Sequence, residues 1–166
     1  YSQSIGEKGL ELTRLIEKES TKNWAVCPQT VDIRMNSEGS KITVLAQHID
    51  GIDPDSHTGH SLIESLKEAG ISGTLINHSE KRLKLSEIER IVKRCKKENL
   101  ISIVCANNPE VAASAAALDP DFVAYEPPEL IGGDISVSSA KPEVVREAVK
   151  KVKSNNEDVE VLCGAG

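Results

Sequence analysis

The chain has 166 residues, enough for one domain with a sizeable core, and its 39% hydrophobic and 28% charged residues exclude a disordered tract. Its net charge of -6 argues against nucleic acid as the main partner, because phosphate backbones are held by clustered Lys and Arg. No apolar run approaches the roughly 18 residues that a membrane span requires, so neither a membrane nor a nucleic acid is an expected partner.

Six short apolar strands are predicted in chain order: 23–27 (NWAVC), 42–47 (ITVLAQ), 73–77 (GTLIN), 100–105 (LISIVC), 122–126 (FVAYE) and 159–163 (VEVLC). Most are apolar at consecutive positions, as expected of parallel strands covered on both faces. Helical patterns separate them. Ser4 with Glu7, Ser61 with Glu64 and Ser86 with Glu89 fit capping boxes, and Asn108 before Pro109 marks a further helix start. Ile88, Ile91, Val92 and Cys95 form one apolar stripe at helical spacing; Val145, Ala148, Val149 and Val152 form another. This βα alternation demands a parallel sheet with right-handed crossovers, either an open doubly wound sheet or a closed eight-stranded barrel.

Polar groups follow the apolar runs at Gln47 and His48, Asn77 and His78, Asn107, and Glu126. A β/α barrel gathers such strand ends on one rim, which favours the (β/α)8 barrel over the open sheet. About six of the eight βα units lie in this chain, since a barrel typically needs roughly 250 residues and compact ones about 200. The expectation is therefore an α/β fold, one barrel domain over residues 1–166 that is incomplete at both ends. The start at Tyr1 and the stop at Gly164, Ala165 and Gly166 read as a piece of a longer protein. No secretory leader pattern opens the chain.

Cys27, Cys95, Cys105 and Cys163 lack C-x-x-C spacing and read as structural buried thiols in a reducing, cytoplasmic setting. His57 and His60 form an H-x-x-H pair without a third ligand, so no metal is expected and a loop contact is the better reading. The basic clusters Lys81, Arg82, Lys84 and Lys93–Lys97 read as solvated helix faces.

Two stretches carry chemistry. In 74–82 (TLINHSEKR) a histidine stands at the lip of a strand beside polar neighbours, where small shifts move its charge across neutral pH; a capping role is the plainer alternative. In 122–138 (FVAYEPPELIGGDISVS) Glu126 closes a strand, Pro127 and Pro128 stiffen the start of the next loop, and Gly132 with Gly133 supplies a pliable hinge or a close approach for an anion. An ordinary surface turn with a solvated carboxylate is the alternative there.

Taken in order with YSQSIGEKGLEL, CPQTVDIRM, LAQHIDGIDPDSHTGHS and VLCGAG, these stretches make the chain resemble the triosephosphate isomerase family in its compact archaeal form, nearly end to end. The resemblance implies a glycolytic and gluconeogenic isomerase of dihydroxyacetone phosphate and D-glyceraldehyde 3-phosphate that works without a cofactor. Glu126 matches the family's base and His78 its electrophile, with Asn77, Ser79, Glu80 and Arg82 as supporting residues and Arg82 paired to Glu80. Residues 127–136 match the lid, with Gly132 at the substrate phosphate, and Gly164 and Ala165 match the start of the next phosphate loop. Gly132, Gly133, Asp134 departs from the common Gly-Thr-Gly wording, and a carboxylate near a phosphate repels unless it points away. The loop around Thr58 and Gly59 matches the one that enters a neighbouring subunit, implying a homodimer or homotetramer, and Gln47 either shapes the rim or makes a strand-end hydrogen bond. The family's Asn-x-Lys-Thr-Tyr is matched only by Tyr1, so its lysine is expected two positions upstream. Two alternatives compete: another phosphosugar-handling barrel, which would need a Schiff-base lysine or metal ligands at strand ends, and a non-catalytic barrel fragment.

Overall fold

The computed structural model describes residues 2–128 and 142–164, which divide into two compact units at Leu75 and Ile76. In the first unit, helix α1 (Glu7–Glu19) leads to strand β1 (Ala25–Val26), helix α2 (Ile33–Gly39), strand β2 (Thr43–Ala46), helix α3 (Ile63–Glu68) and strand β3 (Gly73–Ile76), whose last residue opens the second unit. Here β1 pairs with β2, and β2 with β3, all parallel. Ile33, Val44, Leu45, Ala46, Ile49 and Ile63 supply the buried apolar groups.

The second unit continues with helix α4 (Leu85–Glu98), strand β4 (Ile101–Ala106), helix α5 (Pro109–Ala116), strand β5 (Phe122–Tyr125), helix α6 (Pro142–Asn155) and strand β6 (Glu160–Cys163). Parallel pairing sets Cys105 beside Ala124 and Ala106 beside Tyr125; β5 pairs in turn with β6. Each expected strand is present, five of them trimmed by a residue or more and β4 shifted by one to end at Ala106, because the apolar runs are what the helices cover. At the entry of β4 and β5, Asp121 accepts hydrogen bonds from the backbone N–H and hydroxyl of fully buried Ser102, at 2.8 and 2.7 Å.

Helix α4 buries Ile88, Ile91, Val92 and Cys95, the expected stripe, and stops where Asn99 turns left-handed at φ 56°. On α6, Ala148 and Val152 are buried, while Val145 and Val149 are half-buried. Asn108 caps α5 as expected: its side chain accepts the Val111 N–H at 2.8 Å, and Pro109 takes a position where no N–H is needed.

The three expected capping boxes are not formed, and in each case a different partner holds the helix start. Gly6 precedes α1 and donates its N–H to Asp32 from 26 residues away, at 3.1 Å. Ser61 gives its N–H to Asp50 at 2.7 Å, leaving Leu62 before α3. Helix α4 begins two residues before the expected frame: Glu87 accepts the Lys84 N–H at 2.9 Å, while Glu89 pairs with Lys93 one turn on.

Two readings of polar residues need correction. Within the 93–97 cluster Arg94 is buried, because its position on α4 adjoins the apolar stripe of Ile91 and Cys95. Cys95 and Cys105 are buried, but Cys27 is half-buried and Cys163 is exposed on β6. Burial pushes the Cys27 thiol up to about 11; burial, then the charge of Asp121, pushes Cys95 up to about 12.

Candidate active site

Two side chains at strand ends of the second unit face one another. At the end of β3, Asn77 adopts φ 62°, a conformation that Asn tolerates better than most residues, and this turns the chain out of the strand. The succeeding loop is closed by Asn77 itself. Its Nδ2 donates to the Cys105 carbonyl at 3.0 Å, its Oδ1 accepts the Leu83 N–H at 2.9 Å, and its carbonyl accepts Arg82 Nη1 at 3.1 Å.

His78 sits inside this loop with its side chain 33% exposed. The Glu80 backbone N–H points at Nδ1 from 3.3 Å. An amide can only donate, so Nδ1 carries the lone pair and the neutral ring carries its proton on Nε2. The Glu80 carboxylate also stands 3.7 Å from Nδ1, but it is 90% exposed and beyond hydrogen-bond reach, so the amide decides the tautomer.

Glu126 continues from β5. Its N–H donates to the Ala106 carbonyl at 2.8 Å, carrying the β4–β5 ladder one residue past the strand. The carboxylate Oε2 lies 4.0 Å from His78 Nε2, the nitrogen that bears the proton. On the other side stands Gly164, whose N–H donates to the Tyr125 carbonyl at 3.1 Å; a methyl group there would come within 3.2 Å of Glu126 Oε1. Partial burial, and after it the charge of Glu126, raises the Cys163 thiol above its ordinary value. Cys163, expected in the core, is thus a neighbour of the carboxylate. Its position immediately before Gly164 at a strand end was the available signal.

The arrangement offers a carboxylate to accept a proton and an imidazole N–H to donate toward an oxygen, close enough for both to act on one small molecule. A cavity of about 420 Å³ lies on the helix side of the loop, lined by Arg82, Leu83, Leu85, Val104, Asn107 and Val111 among others, and neither His78 nor Glu126 contributes to it.

The sequence profile of the triosephosphate isomerase family matches residues 3–166. Curated relatives called triosephosphate isomerase include one from Methanocaldococcus jannaschii, 53% identical over the whole chain and 77% of the relative, and one from Methanothermus fervidus, 54% identical over the whole chain and 76% of the relative. A third, from Methanothermobacter thermautotrophicus, is 51% identical over the whole chain and 74% of its own length. The chain belongs to the triosephosphate isomerase family. Its strands and helices are accordingly those of a (β/α)8 barrel, with six of the eight strands among the described residues.

Of the family positions expected beyond the pair, Asn77 and Arg82 lie on the His78 loop, though Arg82 supports it through the Asn77 carbonyl rather than through Glu80. Ser79 is half-buried on the same turn. Gly132, Ala165 and nearly all of the lid region expected at 127–136 lie outside the described residues. In the first unit, Thr58 and Gly59 are exposed, and Gly59 adopts φ 86° in a turn where His60 N–H donates to the His57 carbonyl at 3.2 Å. The His57 and His60 rings meet edge to face at 5.9 Å; among the described residues no group of three His, Cys, Asp or Glu side chains could hold a metal ion. Gln47 makes the strand-end hydrogen bond, donating to the Cys27 carbonyl at 3.0 Å. No helix among the described residues is long and apolar enough to cross a membrane.

Proposed function

We propose that the protein carrying this chain interconverts dihydroxyacetone phosphate and D-glyceraldehyde 3-phosphate, a step of glycolysis and gluconeogenesis. The substrate carbon next to the carbonyl loses its proton to the Glu126 carboxylate, the electron pair of that C–H bond forms the C=C bond of an enediolate, and the His78 Nε2–H donates to the oxygen on which charge develops. Protonated Glu126 then returns the proton to the adjacent, former carbonyl carbon, while His78 gives its Nε2 proton to the former carbonyl oxygen and takes the hydroxyl proton of the neighbouring oxygen, which becomes the new carbonyl. These roles are the ones established for the family. The observation that carries them onto this chain is the 4.0 Å approach of Glu126 Oε2 to a His78 Nε2 whose partner nitrogen is already engaged by the Glu80 N–H.

The supporting residues Asn77, Ser79, Glu80 and Arg82 hold the His78 loop, and Gly132 and Ala165 meet the substrate phosphate through backbone N–H groups. The Gly164 N–H is taken by the Tyr125 carbonyl, so Gly164, expected with them, instead gives room to the Glu126 carboxylate. Residues 1–166 belong to one barrel domain of a cytoplasmic protein that pairs with its own copies, as a homodimer or homotetramer, through the loop at Thr58 and Gly59. Exposure of that loop supports the assembly reading. A coupled isomerase assay on the whole gene product tests the proposed activity. Glu126→Asp should slow turnover sharply and Glu126→Gln should lower it by about 10²–10⁴-fold, the usual contribution of a positioned proton acceptor. Turnover within a factor of about two in the glutamine variant removes Glu126 as the base.

A further inference from the structure

We infer that Asn77 is a positioning residue for the proton-transfer pair, fixing both the tautomer of His78 and its register against Glu126. The catalytic half of this inference rests on the isomerase reading; the hold on the imidazole does not.

Asn77 is buried, and its three hydrogen bonds close the segment from 77 to 83 at its base. Inside that closed segment the Lys81 N–H donates to the His78 carbonyl at 2.9 Å, forming the turn that aims the Glu80 N–H at His78 Nδ1. The 3.3 Å length of that last hydrogen bond leaves little margin: a slight opening of the turn takes the amide beyond hydrogen-bond reach, and both neutral tautomers of the ring become available.

The same residue sets the distance to the carboxylate. Successive carbonyls of a strand point toward opposite neighbours. At the end of β4, the Cys105 carbonyl accepts Asn77 Nδ2, and the next carbonyl, that of Ala106, accepts the Glu126 N–H. His78 and Glu126 therefore hang from adjacent residues of one strand, and Asn77 is the side-chain link on the histidine side. No other residue type fits the position as well. Glycine accepts φ 62° but makes no side-chain bond; aspartate keeps the acceptor for Leu83 and loses the donor for Cys105; other side chains are strained in the left-handed region.

Nitrogen NMR of the histidine-labelled whole gene product, with the His78 signal assigned by its loss in His78→Gln, reads the ring directly, and steady-state kinetics read the consequence. The unchanged protein should show one neutral tautomer with the proton on Nε2. Asn77→Gly should average the two tautomers and lower kcat at least about tenfold with KM changed less than about threefold, as expected when a reacting group is displaced and substrate binding is left intact. Asn77→Asp, which retains the Leu83 bond, should change both readouts in the same direction, and it decides the matter if the glycine variant does not fold. A folded variant with a single fixed tautomer, or with kcat within twofold of the unchanged protein, overturns the proposal. Should Glu126→Gln keep its turnover, the isomerase reading fails, while the His78 spectrum still tests the hold of Asn77 on the ring.

Discussion

Gly164 shows how closely the carboxylate of Glu126 is fitted. A methyl group at that position would stand 3.2 Å from Oε1, so the carboxylate would have to give by a few tenths of an ångström. On its other side His78 Nε2 is 4.0 Å away, and in the proposed reaction any shift alters the line along which the proton leaves carbon. Gly164→Ala should therefore lower kcat about tenfold, a modest share of the roughly 100-fold that a 1 Å misplacement costs, with substrate affinity little changed. Steady-state kinetics of that variant check it, and unchanged kcat would show that the carboxylate has room to move. His78 and Glu126 were legible in the sequence as polar residues closing apolar runs. The hold of Asn77 was not, since its left-handed backbone and its bond to Cys105, 28 residues away, depend on strands brought together by folding.

At the scale of elements, strands and helix stripes were readable because burial repeats along the chain with period; helix starts were not. Ser4, Ser61 and Ser86 have the right spacing from glutamates, yet distant carboxylates or a shifted frame take the N–H groups instead. Asn108 succeeded because its partner Val111 is local. The Ser61 case has a consequence for the loop at 50–61. Asp50 accepts the Ser61 N–H at 2.7 Å while its own N–H donates to the Ser61 carbonyl at 3.0 Å, closing the segment that carries Thr58 and Gly59. Partial burial works to raise the Asp50 pKa, but the Ser61 N–H, the His48 hydrogen bond and the nearby histidine charges outweigh it and hold the carboxyl below its ordinary 3.8. A depressed folded-state value means that ionised Asp50 stabilises the protein fully above that ordinary value, and that this share is lost as pH falls through the folded value. Asp50→Asn should thus be less stable than the unchanged protein at about pH 6, with the gap narrowing by about pH 3. Denaturant midpoints at the two pH values measure it, and a gap independent of pH would contradict the assignment.

For the molecule as a whole, the alternation of strands and helices was enough to reach a parallel α/β fold, and the polar strand ends were enough to prefer a barrel. What composition could not supply was the pairing of ends: that the carbonyls of Cys105 and Ala106 serve two different loops depends on strand register, which apolar runs leave undetermined. That register brings Glu126 Oε2 to 4.0 Å from His78 Nε2, as the proposed proton transfer requires. The most direct measurement is deuterium uptake from heavy water into triose phosphate during turnover by the whole gene product, tracked by proton NMR. A carbon-bound proton taken up by Glu126 exchanges with solvent before it is returned, so deuterium should enter the product with the unchanged protein, and uptake should fall by about 10²–10⁴-fold in Glu126→Gln. Undiminished deuterium uptake in Glu126→Gln would contradict the account.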